Sequence, residues 1–271
     1  QNGKFTTAAQ NFKNFATNLV NYRSQNSNCS NDFVPTWKEV GPRMESNNTN
    51  SLQGAGLIHK MTFHPNYDGV NNQTIFAISA YGGIWKTMDD GENWQRLNPD
   101  LYIPFSATGN LVIDPINPNR MYVTTGHPND VLNINTPTGI VGSITDYPIY
   151  TTGLYATDDG GEIWVQINNG LATSNLFNGG TIFNLMLDPT NPNNLIFTST
   201  DGIYICKNPT GALSTILWAK DLSFTFSDTQ IKGLTFAYNG ANPEWFVSGT
   251  NIYYCPNPFA TSPTPWSLAT G

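Results

Sequence analysis

Charge is scarce in this chain. Of its 271 residues only 11% are Asp, Glu, Lys or Arg, against roughly 25% in ordinary globular domains. The cations are the rarer half: 12 Lys and Arg face 19 Asp and Glu, for a net charge of −7. A chain without a basic footprint is not built for nucleic acid or for anionic membrane surfaces. No apolar run reaches the roughly 20 residues that a transmembrane helix needs. Cysteine and histidine number three each, and no metal-ligand cluster, phosphate-binding glycine loop or Ser/Cys–His nucleophile pattern occurs, so no cofactor or metal is expected. Three cysteines also exclude a disulfide framework. Cys206 and Cys255 fall at equivalent positions of successive repeats, where neighbouring units hold them beyond the roughly 7 Å Cα limit for a bridge. Both read as small buried apolar residues.

What the chain has instead is Asn, Thr, Ser and Gly, with 39% hydrophobic and 13% aromatic residues. This mix is common in exported proteins made of strands and turns. Gln1 is compatible with a mature N-terminus left after removal of a signal peptide. The expected location is therefore secreted or at the cell surface.

Two octapeptides share one pattern, [S/T]-x-D-x-G-x-x-W. They are Thr87-Met-Asp89-Asp-Gly91-Glu-Asn-Trp94 and Thr157-Asp-Asp159-Gly-Gly161-Glu-Ile-Trp164, and each follows a short strand-like run. The pattern makes sense as a hairpin turn. The Asp carboxylate accepts backbone N–H groups, Gly supplies a positive φ, and Trp packs back under the hairpin. Asp89 and Asp159 are thus read as turn staples and not as catalytic acids.

Four segments of the chain align as repeats. Each opens with an apolar strand: Lys60–Pro65, Asn110–Pro115, Asn184–Pro189 or Gly233–Tyr238. A second strand follows at Thr74–Ser79, Arg120–Thr125, Asn194–Ser199 or Glu244–Gly249. The third is Gly83–Lys86, Gly153–Ala156, Gly202–Ile205 or Asn251–Tyr254, and the fourth begins at Trp94, Trp164, Trp218 or Trp266. The runs are rich in β-branched and aromatic residues and are bounded by Asn, Pro and Gly turns. Four strands in about fifty residues make one propeller blade. The expected fold is an all-β propeller of four-stranded antiparallel blades, over about 54–98, 108–168, 180–222 and 229–271. In units three and four Cys206-Lys-Asn208-Pro and Cys255-Pro-Asn257-Pro replace the octapeptide start, a drift that a structural turn tolerates.

Ahead of the blades, Phe5, Ala9, Phe12, Phe15, Ala16, Leu19 and Val20 recur at helical spacing, which predicts one amphipathic helix and a linker within residues 1–36. Residues 37–42, Trp37-Lys-Glu-Val-Gly-Pro42, resemble a closing fourth strand with no blade left to complete. The expectation is that further blades follow in a longer protein. The alternative is a closed ring of four.

The octapeptides resemble the Asp-box, or BNR repeat, of sialidase-type and sortilin-type propellers. Together with Trp37…Gly41-Pro42, His64-Pro65, Tyr81-Gly-Gly-Ile-Trp-Lys-Thr87, Asp114-Pro-Ile-Asn-Pro-Asn119 and Asp188-Pro-Thr-Asn-Pro-Asn193, they make residues 37–271 similar to exported sortilin-like and glucanase-like propellers. That resemblance implies the fold. It also implies an exported setting, for many such proteins look like cargo of type IX secretion, with a secretion-machinery or cell-surface partner.

Function in a propeller sits on the face that carries the strand-two to strand-three loops. The second unit is long there. Thr87 and Thr157 stand 70 residues apart, against 49 for Cys206 and Cys255, and the excess lies between Thr125 and Gly153. Long ordered loops in compact repeats are functional candidates. This one carries His127, Asp130, Asp146, Tyr147 and Tyr150, groups suited to hydrogen bonding and stacking against a sugar or a polar protein surface. His59, at the start of an innermost strand, would point toward the same channel mouth, and a lone histidine there is more often structural. A sialidase needs three arginines around its carboxylate substrate, and Arg23, Arg43, Arg96 and Arg120 cannot supply them. A two-carboxylate glycosidase needs an acid and a base across a groove. Asp130, Asp146, Asp201 and Asp228 are available, and nothing selects a pair. The leading expectation is a non-catalytic propeller that binds a glycan or a protein. The alternative is a polysaccharide-degrading glycoside hydrolase completed by blades beyond residue 271.

Overall fold

The computed structural model describes residues 58–79, 82–97, 108–126, 151–171, 175–177, 180–207, 212–227, 231–262 and 264–269. These residues are all-β and form four antiparallel four-stranded sheets, each wound in chain order from strand one to strand four. Sheet one holds β1 Ile58–Phe63, β2 Ile75–Ser79, β3 Gly83–Thr87 and β4 Gln95–Arg96. Sheet two holds β5 Thr108–Ile113, β6 Met121–Thr125, β7 Leu154–Thr157 and β8 Val165–Gln166. Sheet three holds β9 Ile182–Asp188, β10 Asn191–Ser199, β11 Gly202–Lys207 and β12 Ala219–Lys220. Sheet four holds β13 Gly233–Asn239, β14 Asn242–Ser248, β15 Ile252–Cys255 and β16 Ser267–Leu268. The expected helix in residues 4–22 and the expected closing strand 37–42 lie outside the described residues.

Burial explains the strand chemistry. The second strand is sandwiched on both faces, so every residue of β2 and of β6 is buried. Such strands read as near-continuous apolar runs and do not alternate. The fourth strand is two exposed residues in every sheet, short enough to make a poor template for edge pairing.

Three buried clusters hold the sheets to one another. Phe76, Ile78, Ile84 and Leu97 of sheet one meet Met121, Val123, Tyr155 and Trp164 of sheet two. Tyr122, Leu154 and Ile167 of sheet two meet Leu195, Phe197, Tyr204 and Trp218 of sheet three. Ile196 and Ile203 of sheet three meet Trp245, Val247, Tyr253 and Trp266 of sheet four. The back faces of sheets two, three and four, each carried by a tyrosine on strand three and the tryptophan before strand four, thus pack on the forward face of the preceding sheet. Cys206 and Cys255 sit in these clusters as free thiols, and burial pushes each up to about 11.

One expectation needs correction here. Trp94 and Trp164 were both expected to be buried under their own hairpins. Trp164 is buried and Trp94 is only half-buried. The reason lies in what covers them: Trp164, Trp218 and Trp266 are closed off by the preceding sheet. Among the described residues no sheet precedes Trp94.

Candidate functional site

At the end of the first three sheets where strand two turns into strand three, a hydroxyl closes strand two and a glycine of positive φ opens strand three. In sheet four Gly249 and Asn251 stand at those places. Ser79 Oγ accepts the Gly82 N–H at 2.9 Å, and Ser199 Oγ donates to the Gly202 carbonyl at 2.8 Å. Gly83, Gly153 and Gly202 have φ of 77°, 108° and 119°, a region that suits glycine. In sheet two the same device holds the two ends of the long loop. Thr125 Oγ1 lies 3.2 Å from Thr151 Oγ1 and 3.0 Å from Thr152 Oγ1, and it accepts the Thr152 N–H at 2.9 Å. The Thr125 N–H donates to the Gly153 carbonyl at 3.0 Å, and that of Thr151 to the Gly180 carbonyl at 3.1 Å. The loop therefore leaves and re-enters through a fixed, buried joint that is also tied to the connection leading into sheet three.

The five loop candidates, His127, Asp130, Asp146, Tyr147 and Tyr150, lie outside the described residues, as does Asp228. The structure does describe two other sequence candidates. His59 Nε2 lies 2.6 Å from the Gly109 carbonyl, so this histidine ties the first innermost strand to the second. Asp201 is engaged as well: the Tyr204 hydroxyl donates to it, and Lys220 Nζ lies 3.3 Å from its Oδ1. Arg120 is bound to Asp158, Nε to Oδ1 at 2.6 Å and Nη2 to Oδ2 at 3.2 Å. It is thereby removed from any arginine cluster, and the ion pair raises its pKa further.

A chain of polar contacts along the innermost strands escaped the sequence reading. Lys60 Nζ donates to Asn110 Oδ1 at 2.7 Å, Asn110 Nδ2 donates to the Phe183 carbonyl at 3.0 Å, and Asn184 Nδ2 donates to the Lys232 carbonyl. Burial lowers the Lys60 pKa. The signal was present in the repeats, since Lys60, Asn110 and Asn184 are polar at one aligned position among apolar neighbours.

The octapeptide turns sit at the opposite end, beside the strand-one to strand-two turns. The Gly160 N–H donates to the Asn119 carbonyl, and that of Asp90 to Gln73. Both turns fold alike. Thr87 Oγ1 donates to Asp89 Oδ1 at 2.7 Å and accepts the Gly91 N–H at 3.0 Å, while Asp89 accepts Asn93 N–H at 2.8 Å. Thr157 Oγ1 donates to Asp159 Oδ1 at 2.6 Å and accepts the Gly161 N–H at 3.2 Å. Asp159 accepts the N–H groups of Glu162 and Ile163 at 2.9 and 3.1 Å. The Trp94 and Trp164 indoles donate to the Gly91 and Gly161 carbonyls at 3.1 and 3.0 Å. The Asn93 bonds, with that of Thr87, hold Asp89 down at about 2. At Asp159 desolvation pushes upward, and the bonds from Thr157, Ile163, Glu162 and Gly161 outweigh it. In sheets three and four the indole reaches across to the preceding sheet: Trp218 Nε1 donates to the Ile167 carbonyl at 2.8 Å and Trp266 Nε1 to Asp221 Oδ2 at 2.7 Å.

At this same end a polar groove lined by Asp188, Asn239, Glu244 and Asn257 runs between sheets three and four. Its buried carboxylate is internally satisfied, for Asp188 accepts from Thr190 and Asn194. Among the described residues no group of three His, Cys, Asp or Glu side chains is placed to hold a metal ion, and no helix is long and apolar enough to cross a membrane.

Among solved structures the chain is similar to an ancestral GH74 enzyme, at 14% identity over 87% of this chain and 25% of that one, with a TM-score of 0.52. The likeness is one of fold. The four sheets are blades of a β-propeller. A GH74 enzyme of Niastella koreensis matches at 16% identity over 82% of this chain and 37% of its own, with a TM-score of 0.40. YCF48 bound to D1 peptide matches at 13% identity over 79% and 55%, with a TM-score of 0.46. The chain thus spans from a quarter to about half the length of these proteins. No protein-family model and no curated protein matches the sequence.

Proposed function

We propose that this chain is a non-catalytic binding module of an exported or cell-surface protein, and that the long loop of the second blade engages a protein or a glycan. The observation that carries the reading is the joint at Thr125, Thr151 and Thr152. It fixes both ends of a long loop in buried structure, and loops presented on rigid scaffolds are where binding concentrates. The [S/T]-x-D-x-G-x-x-W turns then act as Asp-box staples at the far end of the blades. Asp201 is engaged by Lys220 and Tyr204, so a two-carboxylate glycosidase reading would rest on Asp130, Asp146 and Asp228.

The test replaces Asn129–Asp146 with a short Gly-Ser turn and compares both proteins on an oligosaccharide array and a peptide array. In parallel, soluble polysaccharides are incubated with each and assayed for new reducing ends. The wild type should bind a defined probe without releasing reducing ends. The trimmed protein should keep its melting temperature and lose that binding, since surface loops change length at modest entropic cost. Loss of binding in a Tyr147→Ala, Tyr150→Ala double variant would place the contact at the base of the loop. Reducing ends that appear with wild type and vanish on trimming would overturn the reading in favour of a glycoside hydrolase.

A further inference from the structure

Five of the six tryptophans among the described residues donate their indole N–H within the protein. The acceptors are the carbonyls of Gly82, Gly91, Gly161 and Ile167 and the carboxylate of Asp221. Trp245 is the exception. It is 1% exposed, its ring packs against Phe236 and Phe259 at 5.6 and 5.5 Å, and its N–H meets no acceptor among the described residues. A buried indole N–H as a rule has a partner. This one is not sealed from solvent, and the open space that Trp245 lines is the polar groove between the third and fourth blades.

The fourth blade differs from its neighbours at this point. Trp245 pairs with Cys255 as Ile75, Met121 and Leu195 pair with Thr87, Thr157 and Cys206, so an indole stands where the other blades carry an aliphatic side chain. The turn beside it has lost the octapeptide. Asn257 stands in that turn, and its Oδ1 accepts the Phe259 N–H at 2.9 Å, which leaves its Nδ2 to the groove.

The remaining wall is polar and carries no cation, for no Lys, Arg or His lines it. Glu244 Oε1 accepts from Asn239 Nδ2 at 2.8 Å and from the Tyr254 hydroxyl at 3.3 Å, so Oε2 stays open. Asn242 is exposed and its amide adds a donor and an acceptor. The cavity holds about 380 Å³, inside the roughly 300–1,000 Å³ of small-molecule sites. An anion would meet Asp188 and Glu244 with nothing to balance them. A cation would suit those carboxylates and leave the Trp245 and Asn257 donors facing it. An apolar ligand would strip water from all of these groups without replacing its hydrogen bonds. A hydroxyl both donates and accepts, and a ligand bearing several hydroxyls satisfies the whole set.

We propose that this groove is a second binding site, and that its ligand is a neutral polyhydroxyl group of the saccharide class. One ligand hydroxyl accepts the Trp245 indole N–H, and a neighbouring one donates to Glu244. The site lies at the octapeptide end of the blades, opposite the long loop, and stands independently of binding there.

The test uses protein labelled with a magnetic isotope at the indole nitrogen. Each tryptophan then gives one N–H resonance, and the resonance missing from Trp245→Phe is that of Trp245. Cellobiose, lactose and xylobiose are the neutral probes, glucuronate the anionic one and agmatine the cationic one. A neutral sugar should move the Trp245 resonance downfield, as an N–H moves on gaining an acceptor, while those of Trp164, Trp218 and Trp266 stay in place. Asn242→Ala changes only an exposed amide. It should keep the melting temperature and raise the sugar concentration needed about tenfold, the factor for 1.4 kcal/mol. Replacing Asn129–Asp146 with the short turn should leave the Trp245 response intact, whatever becomes of binding at the loop. A Trp245 resonance unmoved by every neutral sugar up to its solubility limit would overturn the proposal. A shift produced by agmatine alone or by glucuronate alone would also overturn it and assign the groove to an ionic ligand.

Discussion

Replacing Thr157 with valine isolates the hydrogen bonding of the second octapeptide turn from its packing. The side chain is fully buried, and valine has nearly the same volume and the same β-branch, so β7 keeps its shape. What disappears is the hydroxyl, which accepts the buried Gly161 N–H at 3.2 Å and donates to Asp159 Oδ1 at 2.6 Å. An orphaned buried donor costs about 1–3 kcal/mol. The carboxylate loses less, because Asp159 is exposed and water can take the place of the hydroxyl. Against this, a methyl in place of the hydroxyl gains up to about 0.8 kcal/mol. The net expectation is a loss of about 1–2 kcal/mol. With a urea slope of about 3 kcal/mol/M, that lowers the unfolding midpoint by roughly 0.5 M. Fluorescence of Trp164, whose indole is bonded within the same turn, follows the transition. Thr157→Ser is the control. It keeps the hydroxyl and loses one methyl, so its cost should come from packing alone, at about 0.8 kcal/mol, and the Gly161 N–H should remain bonded. A valine variant as stable as wild type, with serine the worse of the two, would show that the turn is held by packing and not by its hydroxyl.

Three further outcomes follow from the same geometry. Gly161→Ala should cost about 1–3 kcal/mol in urea unfolding, since φ is +103° and a Cβ there would lie 2.7 Å from Leu97 Cδ1. Asp89 is depressed to about 2, below the roughly 3.9 of an unfolded Asp. Its contribution to stability is therefore complete above about pH 4 and lost as pH falls through about 2. Wild type should lose stability over that window more steeply than Asp89→Asn, and parallel curves would refute the assignment. Cys206 and Cys255, each raised to about 11 by burial, should resist iodoacetamide at pH 8 in the native protein and react after unfolding, as mapped by peptide mass.

The sequence alone determined the fold class and the number of sheets. A strand sandwiched between two blades must be apolar on both sides, and a turn that needs positive φ must carry glycine, so the four repeats are written in residue types that a single reading can align. Buried cysteines at matching repeat positions were legible for the same reason. Tertiary structure decided everything that depends on a neighbour. Trp94 and Trp164 have the same local sequence, yet only Trp164 is buried, because a preceding blade closes over it. Asp201 looked available for chemistry until Lys220 and Tyr204 were placed beside it. Ile84 and Ile252 occupy one register position and differ from 0% to 54% exposed. Local pattern records which face of a strand is apolar, and only the assembled blades show whether that face has been covered.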